Sequence, residues 1–425
     1  MSLTARDFPP GTPLNHLFAW NEAGWRADRR YRLARDPDRL PASPAGKRLG
    51  ERLAAAIGNP DSAAHAAVFA AFEELDAAHA GPHRILVIRL SAFGDFIQSL
   101  GPFTAIRRHH QSDRLSLLTT RPLAEFAKEL GLFDEVLVDD RPQPFALAGW
   151  LRLRRRLLRG RFDRVYDLQT SARSSLYAWL LRPGMPEWSG IAAGCSHPHA
   201  NLERDAQHTI DRQAEQLLMA GISPTPLPNL PPLDRVLPES LASRDFVLLV
   251  PGSSPQHPAK RWPALRFATL ARALDETGYL PVVVGSWHEQ PLAAAIREAC
   301  PGAVDLVGRT DIALLAALCQ RARLTVGNDT GVCHLAAAAG CPVVVLFSRA
   351  SDPARVAPRG CLVRVLSAPD LDDVAAETVI AEALAVLGQR HQTEVSAPSV
   401  VMAGPNPAIP RELPWDPRVR PGDDE

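Results

Sequence analysis

The segment Val326-Gly-Asn-Asp-Thr-Gly-Val-Cys-His334 decides the fold, together with the alanine-rich stretch after it and the apolar run Val343-Val-Val-Leu-Phe347. This order predicts a buried strand, a tight turn, a helix and a second buried strand. Such a unit is typical of a parallel sheet, because neighbouring parallel strands need a crossover connection that is usually a helix.

The turn in this segment carries the residues of an anion-binding helix start. Gly327 and Gly331 relax the backbone, so the amides of Thr330 and Gly331 can point at an anion such as a diphosphate. Thr330 and His334 are four residues apart, so both would lie on one face of a helix that begins at Thr330. Taken alone, the segment fits equally well an ordinary strand-to-helix connection in which Asp329 is the cap.

The composition excludes several classes of protein. At 425 residues the chain has room for two or three domains. Lys plus Arg and Asp plus Glu are 47 each, so net charge gives no reason to expect a nucleic acid as partner. No apolar run approaches the ~18 residues that cross a bilayer, and the N-terminus lacks a signal-peptide core. We therefore expect a soluble cytoplasmic protein, and peripheral contact with the inner face of the cytoplasmic membrane stays open.

The cysteines and histidines do not form a metal motif. No Cys-x-x-Cys pair occurs, which favours reduced thiols and argues against a zinc site. His109-His110 and His197-Pro-His199 lack carboxylate or thiolate partners at ligand spacing, so we expect no metal. The six cysteines are Cys195, Cys300, Cys319, Cys333, Cys341 and Cys361.

Apolar strands alternate with helices in two successive blocks. The first block predicts strands at 85–90, 115–119, 135–138 and 164–168, and helices at 95–109, 122–130 and 145–159. The second predicts strands at 246–250, 280–284, 303–306, 324–326 and 343–347, and helices at 262–277, 291–300, 312–322 and 332–339. Six prolines in Ser223–Pro238 disfavour helix and sheet, so this segment is the best domain boundary.

These blocks predict an α/β protein with two Rossmann-like, doubly wound parallel sheets that face each other across a cleft. The predicted divisions are a helical or irregular N-terminal extension (1–82) with helices at 44–57 and 62–79, an N-terminal Rossmann-like domain (83–222), a proline-rich linker (223–240), a C-terminal Rossmann-like domain (241–390) and a disordered tail (391–425). Ligands of such sheets bind beyond the carboxyl ends of the strands.

In the first domain the loop after the first strand is Ser91-Ala-Phe-Gly-Asp95. A helix that starts at or just after Asp95 would favour the ionised carboxylate, which is then available as a base near neutral pH. A purely structural N-cap role for Asp95 is the alternative. No Gly-x-Gly-x-x-Gly follows this strand and no P-loop motif occurs, which argues against a dinucleotide oxidoreductase or a P-loop enzyme.

In the second domain two further strand ends carry polar residues suited to a nucleotide. Ser253 and Ser254 follow one strand, with Lys260 a few residues later, and hydroxyls with a lysine can hold phosphate oxygens. Glu289 follows the next strand, where an acid can accept hydrogen bonds from ribose hydroxyls. Each of Lys260 and Glu289 taken singly would more often be a solvated surface charge. Together with 327–334, three successive strand ends predict phosphate and ribose binding.

From about Arg84 to Gly388 the chain resembles the family 9 glycosyltransferases, which include the lipopolysaccharide heptosyltransferases of Gram-negative bacteria. The resemblance implies a GT-B architecture, metal-independent chemistry without a resident cofactor, inversion at the anomeric centre, a donor in the C-terminal domain and an acceptor in the N-terminal domain. The residues that carry it are Ile88-Arg-Leu-Ser-Ala-Phe-Gly-Asp95, Asp167-Leu-Gln169, Pro251-Gly-Ser-Ser254, Lys260-Arg-Trp-Pro263, Asp305-Leu-Val-Gly-Arg-Thr310, and Gly327-Asn-Asp-Thr-Gly331 with His334.

The resemblance also implies roles for single residues. Asp95 matches the catalytic base, and Glu289 matches the ribose contact. The diphosphate contacts would be Ser253, Ser254 and Lys260, and the donor-binding loop would supply Asp329, Thr330, Gly331 and His334. This agrees with the chemistry, because one carboxylate can deprotonate the acceptor hydroxyl while Lys260 and helix amides neutralise the departing diphosphate.

The acceptor side is less well determined. Gln169 and Arg173 follow one strand end and Arg121 follows another, so we expect them to bind the acceptor. Gln98 stands where many heptosyltransferases have histidine, which leaves open whether the acceptor is the Kdo-bearing lipid A core. The stretch 151–164 holds seven arginines among leucines and would either face anionic lipid or acceptor phosphates, or be a solvated helix face.

The sequence therefore predicts an inverting, metal-independent transferase that moves a heptose from ADP-heptose onto a lipid-linked or lipopolysaccharide-core saccharide. Its partners would be the nucleotide sugar, that acceptor and the membrane surface. The alternatives are transfer of another sugar to another acceptor, a non-catalytic nucleotide-sugar-binding protein, and a sugar-nucleotide epimerase of the same architecture. Asp95 beside an intact donor loop favours the transferase.

Overall fold

The computed structural model describes Glu51 and residues 82–182, 184–254 and 257–396. These ranges form two α/β domains joined by an extended segment. The helices predicted at 44–57 and 62–79 lie outside the described residues, apart from Glu51. Of the predicted disordered tail, residues 391–396 are helical and the rest lies outside the described ranges.

The described N-terminal domain is built on a six-stranded parallel sheet in the order β3-β2-β1-β4-β5-β6. Its strands are β1 (Arg84–Ile88), β2 (Arg114–Thr119), β3 (Glu135–Val138), β4 (Arg164–Asp167), β5 (Glu187–Gly190) and β6 (His197–Pro198). Its helices are α1 (Phe93–Gln98), α2 (Leu100–His109), α3 (Arg121–Glu129), α4 (Leu147–Gly160), α5 (Ala172–Leu180) and α6 (Thr209–Met219).

The described C-terminal domain repeats this plan with the sheet order β12-β11-β10-β7-β8-β9. Its strands are β7 (Phe246–Val250), β8 (Leu280–Val283), β9 (Val304–Asp305), β10 (Leu324–Asn328), β11 (Val343–Phe347) and β12 (Val363–Ser367). Its helices are α7 (Glu239–Ala242), α8 (Ala264–Glu276), α9 (Gln290–Ala299), α10 (Ile312–Arg321), α11 (Gly331–Ala338), α12 (Pro353–Val356) and α13 (Ala376–Ser396), with 3₁₀ turns at Pro258–Lys260, Trp287–Glu289 and Leu371–Asp373.

The central strands are buried on both faces, which explains why they read as continuous apolar runs. Every residue of β7, β10 and β11 is buried, as expected for parallel strands covered by helices. When the strands of each domain are numbered from 1 to 6, both sheets have the Rossmann order 3-2-1-4-5-6, the C-terminal sheet being read from β9 to β12. The strand order reverses between β1 and β4 in one sheet and between β7 and β10 in the other. The predicted fold of two doubly wound sheets is confirmed.

One predicted helix is wrong in its bounds. The continuous helix expected over 95–109 is two helices, α1 and α2, with Ser99 between them. The Ser99 hydroxyl donates to the Asp95 carbonyl at 2.8 Å, so it occupies a helix carbonyl at the break. Because α1 begins at Phe93, Asp95 is the third residue of that helix and not its N-cap.

The proline-rich segment 223–238 contains neither helix nor strand, as predicted. It is nevertheless packed onto the C-terminal domain. The Leu230 amide donates to the Ala338 carbonyl at 2.8 Å, and the side chain of Gln320 donates to the Pro231 carbonyl at 2.8 Å. These bonds fix the path of the segment between the two domains.

Candidate active site

The two points where strand order reverses carry the polar residues that the sequence predicts. Asp95 lies in the first turn of α1, which follows β1, and Gln169 lies in the loop after β4. The loops after β7 and β10 hold Ser253 and Asp329. Neighbouring parallel strands end at one edge of a sheet, so the residues that follow each pair of strands lie together at that edge, where ligands of such sheets bind.

Asp95 lies at the start of α1 with a buried cation behind it. Its Oδ2 accepts a hydrogen bond from the Ala92 amide at 3.2 Å and lies 3.6 Å from the Arg89 guanidinium. The Asp95 side chain is 43% exposed, whereas that of Arg89 is 4% exposed. Arg89 also donates to the Leu168 carbonyl at 2.6 Å. The carboxylate is therefore anchored on one side and open on the other.

Gln169 holds the loop that leads to Asp95. Its Oε1 accepts hydrogen bonds from the amides of Leu90 at 2.8 Å and Ser91 at 3.2 Å. Asp167 in turn accepts from the amides of Gln169 and Thr170, and burial raises the pKa of Asp167 to about 6. Gln169 therefore orients the backbone of Leu90 and Ser91 through its oxygen. Only its amide nitrogen could make the predicted contact with an acceptor.

The two predicted acceptor arginines are engaged elsewhere. Arg173 donates to the Tyr177 hydroxyl at 2.8 Å, lies 3.7 Å from the Asp139 carboxylate and stacks 5.1 Å from the centre of the Trp150 ring. Arg121 is the exposed first residue of α3 and pairs with Asp140 at 3.1 Å. Among the described residues, neither of these two side chains contacts Asp95.

Asn328 joins the loops at the carboxyl edge of the C-terminal sheet, where the predicted donor-binding loop lies. The sequence analysis did not single out this residue. It is fully buried at the end of β10, and its Oδ1 accepts from the Trp262 amide at 3.0 Å. Its amide nitrogen donates to the carbonyls of Pro251 at 2.9 Å and Gly252 at 3.2 Å. One side chain thus joins the loop after β7, the segment after Lys260 and the turn Gly327–Gly331, called the donor turn below.

Lys260 is brought directly to the donor turn. Its ammonium lies 2.7 Å from Asp329 Oδ2, which also accepts from the Ser351 hydroxyl at 2.6 Å. The Asp329 side chain is 7% exposed and that of Lys260 is 19% exposed. Asp329 therefore fixes the position of the lysine, whose ammonium can still donate to a further anion because it has three donors.

The two serines of the loop after β7 differ in their surroundings. Ser253 is buried, donates to the His257 carbonyl at 3.0 Å and accepts from the Arg261 side chain at 3.1 Å. Ser254 is exposed. Ser253 thus closes its own loop, while Ser254 lies on the open side of it.

Glu289 reaches the same edge from the loop after β8. Its Oε2 accepts from the Ser286 amide at 2.7 Å and the Ser286 hydroxyl at 2.6 Å, which is a capping box. A Cβ at Gly252 would lie only 2.5 Å from the Cγ of Glu289, so the glycine makes room for this acid. The carboxylate is buried and fixed beside the loop after β7.

The starts of α1 and α11 meet across the cleft. A Cβ at Gly331 would lie 2.4 Å from the Phe93 ring and 2.9 Å from the Gly94 amide nitrogen, and a Cβ at Gly94 would lie 2.9 Å from the His334 ring. The Gln98 amide nitrogen lies 3.2 Å from His334 Nδ1. Burial lowers the pKa of His334 to about 4, so its imidazole is neutral at physiological pH. The predicted donor loop and the predicted base thus share one site.

A second contact between the domains involves residues that the sequence reasoning did not single out. His208 caps α6 through Nδ1 and donates from Nε2 to the Ala357 carbonyl at 2.9 Å. Arg359 forms a bidentate ion pair with Asp211, in which one N–O distance is 2.7 Å. These contacts fasten α6 to the segment around α12, beside the cleft.

The tight contact at Gly331 gives a test of this geometry. Gly331→Ala should destabilise the protein by about 1–3 kcal/mol, because backbone at Gly94 has to move, and should lower Tm by roughly 3–8 °C. Gly388→Ala is the matched control, since no atom lies within 4 Å of a Cβ there and alanine favours the α13 helix. Equal Tm values for the two variants would contradict the close approach of α1 and α11.

The described residues contain neither a metal-ligand cluster nor a helix suited to span a membrane. No group of three or more His, Cys, Asp or Glu side chains in these ranges is placed to hold a metal ion. No helix in the same ranges is long and apolar enough to span a bilayer.

Comparison with known proteins matches the chain to one family. The model of glycosyltransferase family 9 (heptosyltransferase) matches residues 150–378. Lipopolysaccharide heptosyltransferase 2 of Salmonella typhimurium is 28% identical over 298 residues, which cover 63% of this chain and 83% of that protein. Lipooligosaccharide heptosyltransferase 2 of Haemophilus influenzae is 34% identical over 116 residues, which cover 26% of this chain and only 33% of that relative.

Solved structures share the fold. A family 9 glycosyltransferase from Veillonella parvula superposes with a TM-score of 0.64 at 22% identity, covering 73% of this chain and 98% of that one. The Escherichia coli ADP-heptose lipopolysaccharide heptosyltransferase II gives 0.60 at 22% identity, covering 72% and 99%. The arrangement of two Rossmann-like domains is therefore GT-B.

Proposed function

This chain belongs to glycosyltransferase family 9, the heptosyltransferase family, and from that premise we propose that it moves a heptose from ADP-heptose onto a saccharide of the lipopolysaccharide core. It is a glycosyltransferase. The transfer inverts the anomeric carbon and uses no metal, and Asp95 acts as the general base. The choice of donor is supported by the similar E. coli protein, which is an ADP-heptose heptosyltransferase.

The observation that carries the proposal is the contact between α1 and α11. It places the first turn of α1, which holds the half-exposed Asp95 carboxylate, against the start of α11 at Gly331. The proposed base, Asp95, and the proposed diphosphate-binding amides at the start of α11 therefore lie on different domains of one cleft. This arrangement suits an inverting transfer, because the acceptor must approach the anomeric carbon from the side opposite the diphosphate.

In the proposed reaction the Asp95 carboxylate takes the proton of the acceptor hydroxyl as its oxygen attacks the anomeric carbon. The bond from that carbon to the phosphate oxygen breaks, and ADP leaves with the electron pair. Arg89 lies 3.6 Å from the Asp95 carboxylate and holds it in position from behind. The neutral imidazole of His334 is a hydrogen-bond donor or acceptor for the donor sugar, since its pKa is lowered to about 4.

The diphosphate is stabilised by fixed groups. Lys260 supplies a point charge held in place by Asp329, and the amides at the start of α11 supply oriented donors. Glu289 is the candidate for the ribose, although one of its oxygens already caps the turn at Ser286.

A thermal-shift panel tests the nucleotide. ADP and ADP-heptose should raise Tm, because a ligand at 100 times its Kd stabilises the native state by about 2.7 kcal/mol. UDP, GDP and their sugars at the same concentration should shift Tm less. A larger shift with UDP or GDP would overturn ADP-heptose as donor and favour the family 9 alternative with another nucleotide sugar.

A further inference from the structure

The exposed side of α4 carries arginines and leucines together. Its buried residues are Leu153, Leu157 and Gly160, so the opposite side of the helix faces solvent. That side presents Arg152, Arg155 and Arg159, all exposed, interleaved with Leu151 at 53% exposure and Leu158 at 38%. An ordinary solvated helix face would be polar throughout.

Within the described ranges, the charges on this side lack counterions. Helix α4 contains no acidic residue. Arg154 donates to the Arg182 carbonyl and Arg156 donates to the Val138 carbonyl, so both side chains are engaged by the protein itself. Among the described residues, by contrast, no ion pair or hydrogen bond engages the side chains of Arg152, Arg155 and Arg159. Three neighbouring cations are therefore available to an external anion.

The same arginines border a cavity of about 450 Å³. Its one acidic neighbour, Glu135, lies 3.6 Å from the guanidinium of Arg114. This volume exceeds that of a phosphate group, and the lining is cationic. The lining residues are Arg84, Glu135, Leu137, Arg152, Arg155, Arg156, Arg159 and Gly160.

Helix α5, which packs beside α4, extends the apolar part of this surface. Leu176 is 53% exposed and Trp179 is 66% exposed. Both helices cover one face of the N-terminal sheet through Leu153, Leu157 and Tyr177. The other face carries α1 to α3, which share a core with the C-terminal domain. The α4–α5 face, defined as Leu151, Arg152, Arg155, Leu158, Arg159, Leu176 and Trp179, therefore points away from that domain.

We propose that the α4–α5 face docks the protein on the surface of an anionic phospholipid bilayer. Arginines can pair with lipid phosphates while Leu151, Leu176 and Trp179 enter the boundary between headgroups and acyl chains. A nucleic acid would satisfy the arginines but would leave the leucines exposed to water, so the observations favour lipid. Docking of this kind does not depend on which sugar is transferred.

Vesicle flotation with the full chain tests this proposal. The protein should bind vesicles that mix phosphatidylcholine with phosphatidylglycerol and should not bind pure phosphatidylcholine. The triple variant Arg152→Gln, Arg155→Gln, Arg159→Gln should lower the partition coefficient roughly 100-fold. The matched control removes three exposed arginines of the other domain (Arg272→Gln, Arg297→Gln, Arg364→Gln) and should bind like the parent.

The apolar contribution is tested separately. Trp179→Ala should weaken vesicle binding on the order of 10-fold, and Trp287→Ala, which removes a 70% exposed tryptophan of the other domain, should not. Unchanged Tm values would verify that the variants are folded. Failure of the parent to bind anionic vesicles, equal losses in the arginine variant and its control, or binding to single-stranded RNA in place of vesicles would each overturn the proposal.

Discussion

Asp95→Asn is expected to lower the rate of heptosyl transfer by at least ~10²-fold and to leave the affinity for ADP-heptose unchanged. The amide cannot accept the proton of the acceptor hydroxyl. It can still accept the hydrogen bond from the Ala92 amide, so the start of α1 should persist. Single-turnover kinetics, combined with a binding isotherm for the donor, separate the two effects.

Asp140→Asn provides the control for this experiment. Asp140 is exposed, follows β3 and pairs with Arg121, so the same chemical change is made near the same edge of the sheet. Its turnover should match that of the parent. Near-normal transfer by Asp95→Asn would contradict a role for Asp95 as base, and loss of donor binding by that variant would point to a structural defect.

Lys260→Ala is expected to weaken ADP binding roughly 10- to 100-fold, the range for losing a hydrogen bond to a charged group. Isothermal titration with ADP measures it. Lys128→Ala, which removes an exposed ammonium paired with Glu125 in the other domain, is the control and should bind ADP like the parent. An unchanged dissociation constant for Lys260→Ala would remove Lys260 from the site.

Because Lys260 is paired with Asp329, the Lys260→Ala substitution also has to be tested in a protein that carries Asp329→Asn. Without the lysine, the buried Asp329 carboxylate would repel a diphosphate, so part of the loss would be indirect. In Asp329→Asn protein, Lys260→Ala should still weaken ADP binding at least ~10-fold if the ammonium contacts the diphosphate. Disappearance of the effect in that background would mean that Lys260 only neutralises Asp329.

Strand positions could be predicted where apolar runs are continuous, because a parallel strand is buried on both faces. The predicted bounds of β3, β7 and β11 agree with the structure. The strand β5 (Glu187–Gly190) was not predicted, since its sequence Glu-Trp-Ser-Gly has no apolar run. The break at Ser99 was also missed, because a serine inside a periodic apolar pattern does not by itself indicate the end of a helix.

The candidate site could be predicted from strand ends only in part. The donor turn, Lys260 and Asp95 come together as their positions after β10, β7 and β1 imply. Arg121 and Arg173 also follow strand ends, but both lie in the first turn of a helix. Arg121 pairs with Asp140, and Arg173 contacts Tyr177 and Trp150. A strand end thus gives the edge of the sheet and not the direction of a side chain.

Some site residues left a signal in the sequence and others did not. Arg89 is a charge inside an apolar strand run, so a partner such as Asp95 had to exist. The pattern Ser286-x-x-Glu289 is a capping box that could have been read directly. The pairing of Asp211 with Arg359 joins residues of different domains, and nothing local in either segment indicates it.

Incubation with ADP-heptose and a lipopolysaccharide-core saccharide, followed by mass spectrometry of the acceptor, tests the central proposal most directly. The predicted result is an acceptor heavier by one heptose, with ADP released in equal amount and the new linkage inverted relative to the donor. Asp95→Asn run in parallel should give no product on the same time scale. Release of ADP without any gain in acceptor mass, or transfer that proceeds equally well in Asp95→Asn, would contradict it.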